Sequence, residues 1–276
     1  MKKVYAIVII ILAALIMEGC SMSNRNTIKK INDAIKNDDI DRVAILLKKC
    51  SDVNENPYTD LEARVFGYVN VSPLNAACFY GNFKIIKMLL DYGADVNNQN
   101  NPSKSTPLIN ALSGSKTNRF EIAKYLIEQG ADVNAVSIND LTAVFYVVNT
   151  VDPYDVEAQE TQLDMILFME ENGCDIYHES ISGNLLFQAC ICSNVKLLDY
   201  LINEREFDIN FTSRNGDNAL LRTIKNFYRE QYIVVEMLLE NGICLTSTDK
   251  DGYTAIELAR MQGNDKLVQL INKYLE

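Results

Sequence analysis

Two five-residue strings in this chain are identical: Gly-Ala-Asp-Val-Asn stands at Gly93–Asn97 and again at Gly130–Asn134. Upstream of each, a small hydroxyl residue is followed by proline and leucine, as Ser72-Pro73-Leu74 and as Thr106-Pro107-Leu108. Self-similarity at a fixed spacing marks a stacked repeat, in which a unit can bury its apolar side only against its neighbours. It also moves the expectation of function away from a pocket for chemistry and toward an extended surface for binding.

The interval from Ser72 to Asn97 serves as a ruler of 25 residues. Thr106 to Asn134 holds three more, Thr142 to Tyr177 ten more, Asn184 to Asn210 one more and Asn218 to Thr246 three more. The last unit opens at Thr254, and Asn54 closes a degenerate first one. Seven units are predicted, at 27–54, 55–97, 98–134, 135–177, 178–210, 211–246 and 247–276. Within a unit, Leu74, Ala77 and Cys78 recur at helical spacing, Gly81-Asn82 breaks the run, and Ile85 to Leu90 forms a second apolar stretch. Ser or Thr before Pro suits a helix start, because the N–H that Pro lacks is unpaired there anyway. Gly93 and Gly130 fall just past a helix, where a left-handed residue ends it. The polar stretches 29–41 and 264–276 fit the capping of a stack.

The stretches Ser72-Pro73-Leu74-Asn75-Ala76-Ala77, Thr106-Pro107-Leu108-Ile109-Asn110-Ala111 and Asp249-Lys250-Asp251-Gly252-Tyr253-Thr254-Ala255 resemble the repeat signature of the ankyrin family. The resemblance covers roughly residues 27–276. Proline is missing after Thr142, Asn184, Asn218 and Thr254, and no unit keeps the family's histidine. The resemblance implies an all-α solenoid of helix pairs with β-turn or hairpin fingers, working as a protein–protein interaction module.

The N-terminus carries a second signal. Lys2-Lys3 precede an uncharged apolar run from Val4 to Met17, followed by Glu18-Gly19-Cys20. The pattern is that of a secretory leader, and the run is short of the ~20 residues a spanning helix needs. Cys20 directly after Gly19 resembles a bacterial lipoprotein signal, which implies removal of residues 1–19 and lipidation at Cys20. An ordinary cleaved leader and an uncleaved anchor are the alternatives; Met17 and Glu18 stand where that signal favours leucine and a small residue. Residues 20–26 are expected to form the lipidated cysteine and a short polar tether. The localisation implied is a bacterial cell envelope, with membrane attachment through the lipid.

Charge narrows the partners. The whole chain has a formal charge of −11, and loss of residues 1–19 makes it −12. Such a chain is poorly suited to nucleic acid, whose phosphates require basic stripes. It is equally unsuited to general adhesion on anionic lipid, so attachment is expected from acyl chains. No phosphate-binding or dinucleotide-binding glycine motif is present, and no small-molecule substrate or cofactor is expected. His178, the only histidine, falls in a finger and is expected to be a solvated turn residue. Cys78, Cys174, Cys190, Cys192 and Cys244 are expected to be small apolar core residues rather than disulfide partners or zinc ligands. No residue is assigned a catalytic or metal-binding role.

A partner is expected at the fingers and the exposed positions of each first helix. Those positions are Phe79 and Tyr80 in the second unit, and Lys225, Phe227 and Tyr228 in the sixth. The finger before the second unit carries an insertion within 55–71 that includes Arg64, Phe66 and Tyr68, and aromatics and arginine dominate interface energetics. The alternative is that Phe66, Tyr68 and Phe79 pack the long loop onto the first helices. The ten-residue excess of the fourth unit, around 149–162, is expected at the turn between its two helices. An inhibitor or immunity-type protein occluding a basic toxin or enzyme is the alternative function; an envelope enzyme using Cys190, Cys192 or His178 is a weaker one.

Overall fold

The computed structural model describes residues 22–57, 72–114, 117–148, 154–226 and 231–275. Among these the chain is helical, with isolated bridges at Ser180–Gly183 and Thr248–Thr254. No helix among them is long and apolar enough to cross a membrane. The chain forms two compact units, Met1–Ile138 and Asn139–Glu276.

The N-terminal unit begins with α1 over residues 22–36 and α2 at Ile40–Leu47. Then come α3 (Pro73–Tyr80) with α4 (Phe83–Asp91), and α5 (Pro107–Ser113) with α6 (Arg119–Glu128). Ser72 and Thr106 cap α3 and α5 by accepting the N–H of Asn75 and Ile109, with proline in the first turn of each helix. Gly93 and Gly130 adopt φ of 84° and 90° just beyond the helices, the conformation that a β-carbon disfavours. First helices stack on first helices, α3 on α5, and second helices on second, α2 on α4. Leu74, Ala77, Ile86, Leu89, Leu108 and Ile122 are buried between them.

Helix α1 takes in residues 22–26, the stretch expected to be tether. The reason is Asn24, only 4% exposed. Its Oδ1 accepts the Ser51 N–H at 2.9 Å, and its Nδ2 donates to the Asp52 carbonyl at 2.9 Å and the Glu55 carboxylate at 2.6 Å. Arg25 adds an ion pair with Glu55 at 2.9 Å. The first turn of the helix is thereby tied to the turn that closes the unit.

The C-terminal unit opens irregularly. After Thr142 stands a single 3-10 turn, Ala143–Tyr146, in place of an α-helix. The run Val144-Phe145-Tyr146-Val147-Val148 is β-branched and aromatic, a poor helix former. Its partner α7 (Val156–Glu171) is long, capped by Asp155, and takes up residues 156–162 of the expected turn insertion. Those extra turns have a use. Gln162 accepts from Asn194 Nδ2, and Gln159 accepts the Lys196 N–H, so α7 helps cap the helix of the next pair.

That pair is α8 (Leu185–Ile191) and α9 (Val195–Asp199), the latter continuing as a π-helical turn at Tyr200–Glu204. Next come α10 (Ala219–Lys225) with α11 (Tyr232–Glu240), then α12 (Ala255–Met261) with α13 (Asp265–Asn272). Asn184 and Asn218 stand where earlier repeats have Ser or Thr and still cap their helices, so the missing prolines cost these units no cap. In α12 the outward-facing positions change character. Glu257 and Arg260 are exposed where α10 buries Leu221 and Ile224.

Candidate functional site: the finger ladder and its exposed tips

The Asp of five finger turns accepts the amide two residues on: Asp52 from Asn54, Asp95 from Asn97, Asp132 from Asn134, Asp175 from Tyr177 and Asp208 from Asn210, all at 2.8–2.9 Å. The Asn then reaches across to the following turn. Asn54 accepts the Asp95 N–H at 2.8 Å and donates to the Gly93 carbonyl; Asn97 does the same with Asp132 and Gly130. Asn210 accepts the Cys244 N–H at 2.7 Å. One side chain therefore satisfies a donor and an acceptor that the loops leave over, which fixes the spacing of the fingers.

Two positions depart from this rule. Tyr177 stands in place of Asn, stacks on Phe207 at 4.8 Å and sends its hydroxyl to the Arg205 carbonyl. Cys244 stands in place of Asp. Its sulfur lies 3.3 Å from the Thr246 hydroxyl, and hydrogen bonds from Ser247 and Thr246 pull its pKa down to about 7. The expectation of a core cysteine is wrong here: Cys244 is exposed. The other four cysteines expected in the core do lie inside. Cys78, Cys174, Cys190 and Cys192 are buried and unbridged, and burial pushes Cys174 and Cys190 up to about 12.

Within each unit a second set of side-chain bonds links the helix-pair turns. In the N-terminal unit Asn82 bonds the Asp38 carboxylate, and Asn118 donates to the Gly81 carbonyl at 3.0 Å. In the C-terminal unit Gln231 donates to the Ile191 carbonyl and Gln262 to the Ile224 carbonyl, both at 2.8 Å. Within each unit, hydrogen bonds thus tie neighbouring fingers and neighbouring helix-pair turns together.

Of the residues expected to bind, Phe79 and Tyr80 sit in the last turn of α3, half-buried and edge to face at 5.5 Å. Tyr80 turns to a shallow hollow of about 470 Å³ shared with Ile35, Lys36, Ile40 and Phe83. Lys225 is engaged within the chain, its Nζ 2.6 Å from Asp217 and 3.0 Å from Asp249. Burial pulls its pKa down, and the two carboxylates outweigh that and raise it. Arg222 approaches Asp217 at 3.4 Å from the same helix. Cys20, Arg64, Phe66, Tyr68, Phe227 and Tyr228 lie outside the described residues. His178 is half-buried rather than solvated, its Nε2 2.9 Å from the Asp140 carbonyl and its ring edge-on to Phe145.

Sequence reasoning passed over the apolar fingers. Val136 and Ile138 are 41% and 62% exposed on either side of buried Ser137 in one finger. The finger is held by Gln99, which donates to the Val136 carbonyl, and by the Ile138 N–H, which donates to the Ser103 carbonyl at 2.9 Å. In the C-terminal unit Ile181 and Tyr253 are 47% and 41% exposed on their own fingers. The signal was present in the alternation Val136-Ser137-Ile138 within a loop, where apolar residues have no core to reach.

Paired short helices, stacked like on like, with left-handed glycines and asparagine-linked fingers, define a helical repeat protein of the binding type. The chain belongs to the ankyrin-repeat family: the family model described as ankyrin repeats (3 copies) matches residues 31–137 and 186–275. The stretch between the two matches contains the irregular 3-10 turn and the long α7. Among curated proteins, it is 27% identical to alpha-latrotoxin-Lg1a of Latrodectus geometricus over 76% of this chain and 14% of that protein. It is 33% identical to the ankyrin repeat protein YahD of Escherichia coli over 31% of this chain and 44% of that protein. The chain thus spans less than half the length of either relative. Among solved structures, the ankyrin repeat protein EF0377 superposes with a TM-score of 0.57 at 24% identity, covering 73% of this chain and 96% of that one. An ankyrin repeat domain from Acinetobacter baumannii gives 0.55 at 24%, covering 73% and 97%. At that identity the likeness is one of fold. Ankyrin repeats make this a protein–protein interaction module.

Proposed function

We propose that the chain is a non-enzymatic, lipid-anchored binding protein of a bacterial envelope, which captures a protein partner on its fingers and first helices. The observation that carries the binding face is the pair Val136 and Ile138, exposed on a finger whose backbone is already bonded to its neighbour. Exposed apolar side chains on a preordered backbone bind at a reduced ordering cost. Phe79 and Tyr80 on α3 are proposed contacts, and so are Arg64, Phe66, Tyr68, Phe227 and Tyr228. The leader and Cys20 support the anchor, by their likeness to a bacterial lipoprotein signal.

The formal charge of −11 favours a basic partner through electrostatic steering, which makes an inhibitor of a basic toxin or enzyme the second reading. Binding should be tested by crosslinking in intact cells and identifying the adduct, with Val136→Ser/Ile138→Ser as the variant. Loss of the adduct with an unchanged melting curve supports the face. Retention of the adduct in that variant and in Phe79→Ala/Tyr80→Ala rejects it. The anchor is tested by fatty-acid-analogue labelling, which Cys20→Ala should abolish; unchanged labelling rejects it.

A further inference from the structure

The hollow beside Tyr80 gathers the ends of four helices of the N-terminal unit. Ile35 of α1 is buried in it, while Ile40 of α2, Tyr80 of α3 and Phe83 of α4 are half-buried. Both rings are held by neighbours. Phe83 meets Tyr125 edge to face at 5.1 Å and has the Lys87 ammonium 4.4 Å from its centroid; Tyr80 meets Phe79 edge to face at 5.5 Å. The repeat itself does not ask for these rings. Aligned on the residue that precedes each first helix, Gly114, Cys192 and Gln262 stand in the place of Tyr80. Aligned on the asparagine that precedes each second helix, Arg119, Val195 and Asp265 stand in the place of Phe83. Helix pairs form there without an aromatic at either place.

The charges on the wall are few. Lys36 and Lys84 line the hollow and are exposed. Asp38 is the acid among the lining residues, and its carboxylate accepts from Asn82 Nδ2. Asp39 lines a separate hollow with Lys30, Asp33 and Arg42, and its Oδ1 accepts the Arg42 N–H at 2.9 Å. Asp41 lies in the first turn of α2 and lines neither hollow. In a chain of formal charge −11, this apolar floor is edged by two ammonium groups against one carboxylate that already has a partner.

We propose that this hollow docks an acidic peptide segment of the partner, in which an apolar side chain is flanked by carboxylates. The apolar side chain packs on Tyr80 and Phe83, and the carboxylates meet Lys36 and Lys84. Rings already fixed by their neighbours lose little freedom on binding, and aromatic area carries much of the energy of a small interface. Exposed ion pairs contribute modestly, so the rings supply affinity and the two lysines select the sign of the segment. The proposal rests on the reading of Tyr80 as a partner contact. It parts from the second reading above in the charge of what is bound at this place.

The test uses the full chain in non-ionic detergent and three rhodamine-labelled peptides, Glu-Phe-Glu-Leu-Glu, Gln-Phe-Gln-Leu-Gln and Lys-Phe-Lys-Leu-Lys, followed by fluorescence anisotropy. The glutamate peptide is expected to bind about three- to tenfold more tightly than the glutamine one, and the lysine peptide more weakly than either. Lys36→Gln/Lys84→Gln should abolish that preference with an unchanged melting curve, and Tyr80→Ala should weaken all three peptides. Equal binding of the three, or preference for the lysine peptide, with loss on Tyr80→Ala, overturns the acidic segment and leaves Tyr80 a contact. A preference for glutamate that survives Lys36→Gln/Lys84→Gln overturns the assignment to this hollow. So does binding that ignores Tyr80→Ala, and so does the absence of binding by any peptide. In those cases the cellular adduct decides the earlier reading separately: loss in Phe79→Ala/Tyr80→Ala keeps Tyr80 as a contact, and retention removes it.

Discussion

Asn97 and Asp132 belong to neighbouring repeats, and the Asp132 amide donates to Asn97 Oδ1 at 2.7 Å while Asn97 Nδ2 reaches the Gly130 carbonyl. Stability in stacked repeats is largely a sum over such neighbour contacts. Asn97→Ala removes two exposed hydrogen bonds and should lower unfolding free energy by about 1–2 kcal/mol. Urea denaturation followed by circular dichroism measures it. A change within error would show that apolar stacking alone sets the spacing of the fingers.

Cys244 should behave as an acid poised at neutrality. Its pKa of about 7 predicts that iodoacetamide alkylation of the native protein is half-maximal near pH 7. Cys78, Cys174 and Cys190, buried and shifted upward, should react only on unfolding. Because the folded value lies below the unfolded one, the stabilisation is full above the ordinary thiol pKa and is lost as pH falls through about 7. Thr246→Val with Ser247→Ala should move the midpoint up. Peptide mass spectrometry across pH reads both, and a wild-type midpoint near the ordinary thiol value would refute the assignment.

Lys225 joins two fingers through carboxylates that are themselves nearly buried, Asp217 at 5% and Asp249 at 3% side-chain exposure. Lys225→Met should cost about 2 kcal/mol, since a charge-assisted bond is lost and a carboxylate is left behind. The pH dependence has two edges. The Tyr253 N–H and then Lys225 hold Asp249 below the usual carboxylate range, so that contribution disappears as pH falls through its lowered value. Lys225 is raised, so its contribution disappears as pH rises through that raised value. The difference between wild type and variant should therefore be greatest between about pH 5 and pH 10, measured by thermal melts.

Gly114 follows α5 at an ordinary φ, yet a β-carbon there would lie 2.7 Å from the Phe79 carbonyl oxygen. Backbone cannot turn aside as a side chain can, so Gly114→Ala should force α3 and α5 apart and cost about 1–3 kcal/mol. A crystal structure of the variant would show the shift. An unchanged helix spacing together with an unchanged Tm would refute the close approach.

The caps, the left-handed glycines and the helix pairs were legible in sequence because they are local. Ser72, Thr106, Gly93 and Gly130 each do what their residue type does in most proteins. The bias of reading by type also produced the misses. Cys244 reads as apolar by its chemistry, although the alignment of Gly242-Ile243-Cys244-Leu245-Thr246 with Gly-Ala-Asp-Val-Asn puts it in a carboxylate's place. His178 and Lys225 were read as solvent-facing because their partners, Asp140 and Asp249, lie 38 and 24 residues away and no local pattern announces them. Residues 156–162 were expected in a turn; Gln159 and Gln162 are buried against the next helix pair, a demand visible only after folding.

The Tyr177–Phe207 contact has a consequence for how such a chain can be edited. Where Asn meets a Gly-x-Asp turn, the two halves of the joint are the same at every occurrence, so a unit such as 98–134 could be duplicated or removed and the cut ends would still match. The aromatic joint has two unlike halves, a tyrosine on one side and a phenylalanine on the other. Insertions and deletions should therefore be tolerated beside the asparagine joints and rejected at this one, which makes it the point where the order of the repeats is fixed.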